Sequence, residues 1–182
     1  MALVYMRICL ALSVAFLVSS SSLFSQLNNS NWHFGNGIGM QIGSGGLSVE
    51  SSSINTPSLV EPSAISDNLG NLVAYCDGEQ VYNAAGNIVV NGIFSNAAIE
   101  SLFIPDPGNE QRWYVVRTGA FGVDYSILDF EMNPDGEIVD ALKEIVLFTE
   151  KSELICATFS GGGAYWLLTA DNMEGGADIV HI

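Results

Sequence analysis

Positive charge is scarce in this chain. Its 182 residues hold five lysines and arginines against twenty aspartates and glutamates, a formal net charge of −15. A surface of that sign repels phosphate backbones and anionic lipid, which argues against nucleic-acid binding and electrostatic membrane docking. Solubility of a glycine-rich sheet protein is the ordinary use of such charge, and multivalent cation binding is the next. Histidine is scarcer still, with only His33 and His181. They stand far apart in sequence, offer no zinc spacing and leave little choice of general base. No G-x-S-x-G elbow is present, and the glycine-rich stretch from Gly35 to Gly46 lacks the Gly-Lys-Ser/Thr ending of a phosphate loop. Long apolar runs are missing as well. ICLALSVAFLV, Ile8 to Val18, is too short for a membrane span and suits a signal-peptide core.

Arg7 precedes that core and small serines follow it, so residues 1–25 read as a signal peptide. Cleavage is expected between Ser20 and Gln26, and an uncleaved anchor is the alternative. The mature chain, 26–182, is then exported to the outside or the outer cell surface. Cys9 lies ahead of the apolar core, not at its end, and is no lipoprotein acceptor. Two cysteines remain, Cys76 and Cys156, with no C-x-x-C spacing. Export permits one disulfide between them. Both lie in apolar strand-like runs, where a free buried thiol acts as a small hydrophobe, and that reading is preferred.

What the chain does have is strands and turns. NLVAYC alternates, Asp77-Gly78-Glu79 turns, Gln80-Val81-Tyr82 returns, and Asn83 to Gly86 turns again into Asn87-Ile88-Val89-Val90. RWYVVRTG (112–119), VDYSILDFEM (123–132) and AYWLLTA (164–170) repeat the style between Pro-Asp-Pro-Gly, Asn-Pro-Asp-Gly and triple-glycine breaks. EIVDALKEIVLF (137–148) carries helical spacing, yet its β-branched end and its surroundings favour two strand ends around a polar kink. The fold class is therefore all-β with short antiparallel strands. The turn-then-strand units beginning at Ser66 and Asn133 are spaced like the blades of a β-propeller, and about three fit the mature chain. A β-sandwich or jelly roll also satisfies the alternation. Propellers close with four or more blades, so three would leave two open edges, self-association through them and a longer natural protein.

NSNWHFGNGIGMQIGSG (29–45), PSAISDNLGNLVAYCDGEQVYNAAGNIVVNG (62–92) and FIPDPGNEQRWYVVRT (103–118) are followed by DYSILDFEMNPDGEIV and EKSELICATFSGGGAYWLLT (150–169). In this order they resemble the N-terminal WD-repeat-like β-propeller region of large secreted Bacteroidetes proteins, many of which end in a gliding-motility or type IX secretion sorting domain. The resemblance covers nearly all the mature chain and implies a surface-exposed propeller piece with no established reaction. Cys76 stands where that pattern has Thr, Tyr82 where it has Trp, and Ala157-Thr158-Phe159 where it has a His.

Candidate chemistry is thin. Glu131-x-Asn133-x-Asp135-Gly136-x-Ile138 matches the first half of an EF-hand loop, but the twelfth position is Leu142, which cannot complete a calcium shell. A strand-joining turn is preferred there and at Asp77-Gly78-Glu79, so no tight calcium site and no other cofactor are expected. His33 lies between Trp32 and Phe34 and reads as packed rather than catalytic. Twenty acids always contain pairs, yet none sits in a recognisable acid–base context. The aromatics Trp32, Tyr82, Trp113, Tyr114 and Trp166 are the better lead, either stacking on sugars and partner proteins or packing neighbouring sheets. Two functions follow. The first is a non-catalytic extracellular module that binds protein or glycan in adhesion or gliding. The second is a secreted propeller enzyme, a hydrolase or lyase with carboxylates in its channel.

Overall fold

The computed structural model describes residues 30–43, 45–52, 54, 61–120, 122–149, 154–160, 163–170 and 177–181. The leader, its cleavage site and Cys9 lie outside the described residues. The architecture is all-β, as expected, and is built from consecutive antiparallel meanders. The first joins β1 (Asn31–Phe34), β2 (Ile38–Gly43) and β3 (Gly46–Ser51). The second joins β4 (Ser63–Ser66), β5 (Leu72–Cys76), β6 (Gln80–Asn83) and β7 (Ile88–Ile93). The third joins β8 (Glu100–Asp106), β9 (Asn109–Gly119) and β10 (Gly122–Asp129) to a broken fourth strand, β11 (Glu137–Ile138) and β12 (Ile145–Phe148). The last joins β13 (Leu154–Phe159), β14 (Tyr165–Ala170) and β15 (Ala177–His181).

The same side-chain device makes three of the turns. Asp67 Oδ1 accepts the Leu69 and Asn71 amides at 2.8 Å, Asn83 Oδ1 accepts those of Ala85 and Asn87 at 3.1 Å, and Asn133 Oδ1 accepts Asp135 N at 3.0 Å. Each turn then ends on a glycine in the left-handed region, Gly70, Gly86 and Gly136, where a Cβ would be strained.

Alternation along the strands divides the core. Ile65, Cys76, Val81, Val89, Phe103, Val115, Leu128 and Ile138, one from each strand β4 to β11, form a single buried cluster with Phe94. The strands around it pair almost all the way round. β11 joins β7 in parallel at Glu137–Val90, and on the other side Glu61 bridges Glu100 while Ser63 Oγ meets Ser101 Oγ at 2.8 Å. The result is a nearly closed, barrel-like sheet. On the opposite face of β8 to β10, Ile104, Val116 and Val123 meet Ile155 and Leu167 of the last meander. Each such fully buried side chain contributes about 1.5–3 kcal/mol.

Two expectations change here. The described residues form four meanders, not about three, because the glycine-rich stretch Asn31–Ser51 is itself a three-stranded unit. The two central meanders are joined edge to edge instead of standing as separate blades. The reason is the polar kink: a 3-10 turn at Asp140–Leu142 and Glu144 at φ 54° break the fourth strand, freeing β11 to bond sideways to β7. The 137–148 segment is thus two strands around a kink, as its sequence indicates. No helix among the described residues is long and apolar enough to cross a membrane.

Both cysteines are free. Cys76 is buried in the barrel, and burial pushes its thiol up to about 11. Cys156 is exposed, contrary to the buried position its apolar run suggests. Its neighbours Ile155 and Leu167 turn toward the third meander, so alternation turns Cys156 away from it.

Candidate functional site

The first meander has two unlike faces. On one, Asn31, His33, Gln41, Ser48 and Glu50 share the register. Its β1 residues pack on the second meander, while Ser48 and Glu50 on β3 stay exposed. Asn31 Nδ2 donates to Ser66 Oγ and to the Gly70 carbonyl, both at 2.9 Å. The His33 ring stacks on Tyr75 at 4.3 Å with its plane 3° away, and Tyr82 continues the stack at 4.9 Å. Burial holds the His33 pKa below the ordinary imidazole value, so the ring favours its neutral form.

The other face is apolar. Trp32 pairs with Met40 and Met40 with Val49; Phe34 pairs with Ile38, and Ile42 with Leu47. Period-two alternation therefore sets seven apolar side chains on one surface. Trp32 is 48 % exposed, Ile38 52 %, Leu47 63 % and Val49 75 %. Glu50, the only charged residue in these three strands, lies on the opposite face. A charge-free apolar surface on a chain of net charge −15 is the mark of a contact surface.

The other sequence candidates resolve as structure. At the Asp-Gly-Glu turn, Asp77 Oδ1 accepts the Glu79 and Gln80 amides at 3.0 and 2.7 Å, and the Tyr82 hydroxyl donates to Oδ2 at 2.9 Å. It is a corner. Burial, then the bond to Asp77 and its charge, push the Tyr82 phenol up. In the EF-hand-like segment, Glu131 Oε2 accepts from Asn109 Nδ2 at 2.9 Å, and Asn133 makes the turn described above. Leu142 sits in the 3-10 turn, 41 % exposed. Among the described residues no three His, Cys, Asp or Glu side chains are grouped to hold a metal.

The aromatics do not converge. Trp113 and Tyr114 are successive on β9 and so face opposite ways: Trp113 meets Phe130 edge-on at 5.6 Å beside the barrel core, and Tyr114 leans on Tyr125 at 5.7 Å in the second cluster. Tyr82 belongs to the His33–Tyr75 stack. Trp32 and Trp166 lie on the first and last meanders, both substantially exposed.

The densest polar group is built around Arg117, which sequence reasoning did not single out. Its side chain is 2 % exposed. Its Nε and Nη2 donate to Asp124 at 3.1 and 2.8 Å, Nη2 also to Glu144 at 3.1 Å, and Nη1 to the Asn96 carbonyl at 3.0 Å. The guanidinium lies 3.6 Å over the Phe94 ring. Burial raises Asp124 despite Arg117; Glu144 ends below the usual carboxylate range, because Ser95 and Arg117 outweigh its burial. An adjoining recess of about 30 Å³, lined by Asn96, Thr118 and Gly122 among others, is the size of a water or two. Each Arg117 side-chain nitrogen donates to a protein acceptor, so the cluster braces the loops.

The residues that sequence reasoning missed are Ile38, Met40, Ile42, Leu47 and Val49. Their signal was there, since I-G-M-Q-I and L-S-V alternate in step with Trp32 and Phe34. Scans of protein-family models, curated proteins and solved structures find no match to this chain.

Proposed function

We propose that this protein is a non-catalytic extracellular interaction module that binds through a sheet face. The observation that carries the reading is the exposed, charge-free apolar face of the first meander, with Trp32 and Phe34 among its residues. The signal-peptide pattern in residues 1–25 supports export, and the resemblance to secreted Bacteroidetes propeller regions supports a place at the cell surface. The ligand class is protein or glycan: an apolar surface with an aromatic ring accepts either a partner's side chains or the face of a sugar.

The test is binding of the purified chain to glycan arrays and to intact cells, with Trp32→Ala and Phe34→Ala as paired variants. Loss of binding in the variants at unchanged thermal stability is expected. Binding that is indifferent to both substitutions would contradict the reading.

A further inference from the structure

Among the described residues, the first meander is tied to the rest of the fold by polar and ring contacts. The two buried apolar clusters are built between Ile65 and Leu167 and take no residue from β1, β2 or β3. Those three strands pair with one another and not with the nine-stranded sheet. The joint to the second meander is made by two side chains. Asn31 reaches Ser66 Oγ through both its amide and its Nδ2, and the Gly70 carbonyl through Nδ2; the His33 ring lies flat on Tyr75. A unit held with little apolar burial belongs to the low-stability end of a fold and opens before the rest.

His33 is the titratable group at this joint. It is buried, and its Nδ1 lies 2.9 Å from Ser52 Oγ. The titratable groups stacked against it are the Tyr75 and Tyr82 phenols, with the Asp77 carboxylate beyond them, accepting from the Tyr82 hydroxyl. Glu50 shares the sheet face from β3 and is exposed. We propose that the first meander is an acid-released flap: protonation drives His33 from its place between Ser52 and Tyr75 and undocks β1–β3 from the second meander while the barrel stays folded. Undocking is linked to proton uptake. Burial lowers the docked pKa from 6.5, so below that pH the undocked ring binds a proton that the docked ring refuses. Undocking therefore grows by up to about tenfold per pH unit until the docked ring titrates as well. Above pH 6.5 both rings are neutral and docking is indifferent to pH. The device stands whether or not the apolar face binds a ligand.

Hydrogen exchange of the full mature chain, read by mass spectrometry between pH 7.5 and 5.0 and corrected for the intrinsic exchange rate, tests this. Protection of the amides in 31–51 should fall several-fold over that range, while peptides from 113–128 keep theirs. His33→Gln, which takes up no proton, should leave 31–51 equally protected at both pH values. Should that variant be unprotected already at pH 7.5, the wild-type His33 resonance decides. NMR should place its titration below the ordinary imidazole value and in step with the opening of 31–51; a titration at the ordinary value overturns the proposal. Protection of 31–51 that ignores pH overturns it too. So does a loss shared equally by 113–128, which is global unfolding, or one that persists in His33→Gln, which other groups must drive.

Discussion

The enclosed face of the central meanders and the open face of the first are written in the same code. Both use period-two alternation of valine, leucine, isoleucine and an aromatic, on strands of similar length. Yet Val115 and Leu128 are fully buried, whereas Leu47 and Val49 are 63 % and 75 % exposed. The difference is in what lies opposite. The central strands curl until their own cluster fills the interior; the first sheet meets the second meander through the polar residues of β1, and Leu47 and Val49 stay exposed. Burial is thus decided by tertiary arrangement, and an exposed apolar face points to a contact made by another molecule.

The strongest way to break the enclosed side is to remove its one buried cation. Arg117→Met leaves Asp124 and Glu144 without their counter-charge and should cost about 3 kcal/mol in urea unfolding. The loss should shrink at low pH, where the two carboxylates protonate. A change under ~1 kcal/mol would mean the cluster does not brace the fold.

Matched leucines sharpen the comparison itself. Leu128→Ala should destabilise by about 2–5 kcal/mol through lost contacts and a cavity. Leu47→Ala should change monomer stability by no more than ~0.5 kcal/mol. Equal costs would mean that the first meander's face is covered in solution even in the monomer. A smaller backbone effect is expected at Gly122, whose φ is 104° and where an added Cβ would collide with the Phe148 carbonyl. Gly122→Ala should cost about 1–3 kcal/mol and loosen the β10–β12 pairing, read as faster amide exchange in 145–148.

The smallest effect concerns the polar face of the same meander. The folded His33 pKa is lowered from 6.5 by burial, so below that pH the unfolded chain holds a proton the folded chain does not. Stability should therefore fall as pH drops through 6.5 toward the folded value. His33→Gln should flatten this slope between pH 6.5 and about 5, above the range where carboxylates take over. An unchanged slope would mean His33 is not held neutral against Tyr75.

Much of this fold was legible in the sequence, and for physical reasons. The Asp67, Asn83 and Asn133 turns are local chemistry, and so is the kink between Ile138 and Ile145. Each is written within a few residues. The edge-to-edge closure of β7 on β11 was not legible, because a two-residue strand leaves no periodic signal. Nor was Arg117, whose partners lie 7 to 39 residues away. The open face was visible only in part. Trp32 stood out as an aromatic, but Val49 and Leu47 look like any other core residues in the sequence, and only the structure shows them exposed.

Hydroxyl-radical footprinting with and without the cells or glycan that the chain binds tests the exposed face most directly. Trp32 and Met40 share that face, Met132 is 71 % exposed elsewhere, and Trp113 is packed beside the barrel core. On binding, oxidation of Trp32 and Met40 should fall while Met132 stays reactive and Trp113 stays protected. Binding that leaves the oxidation of Trp32 and Met40 unchanged would contradict the account.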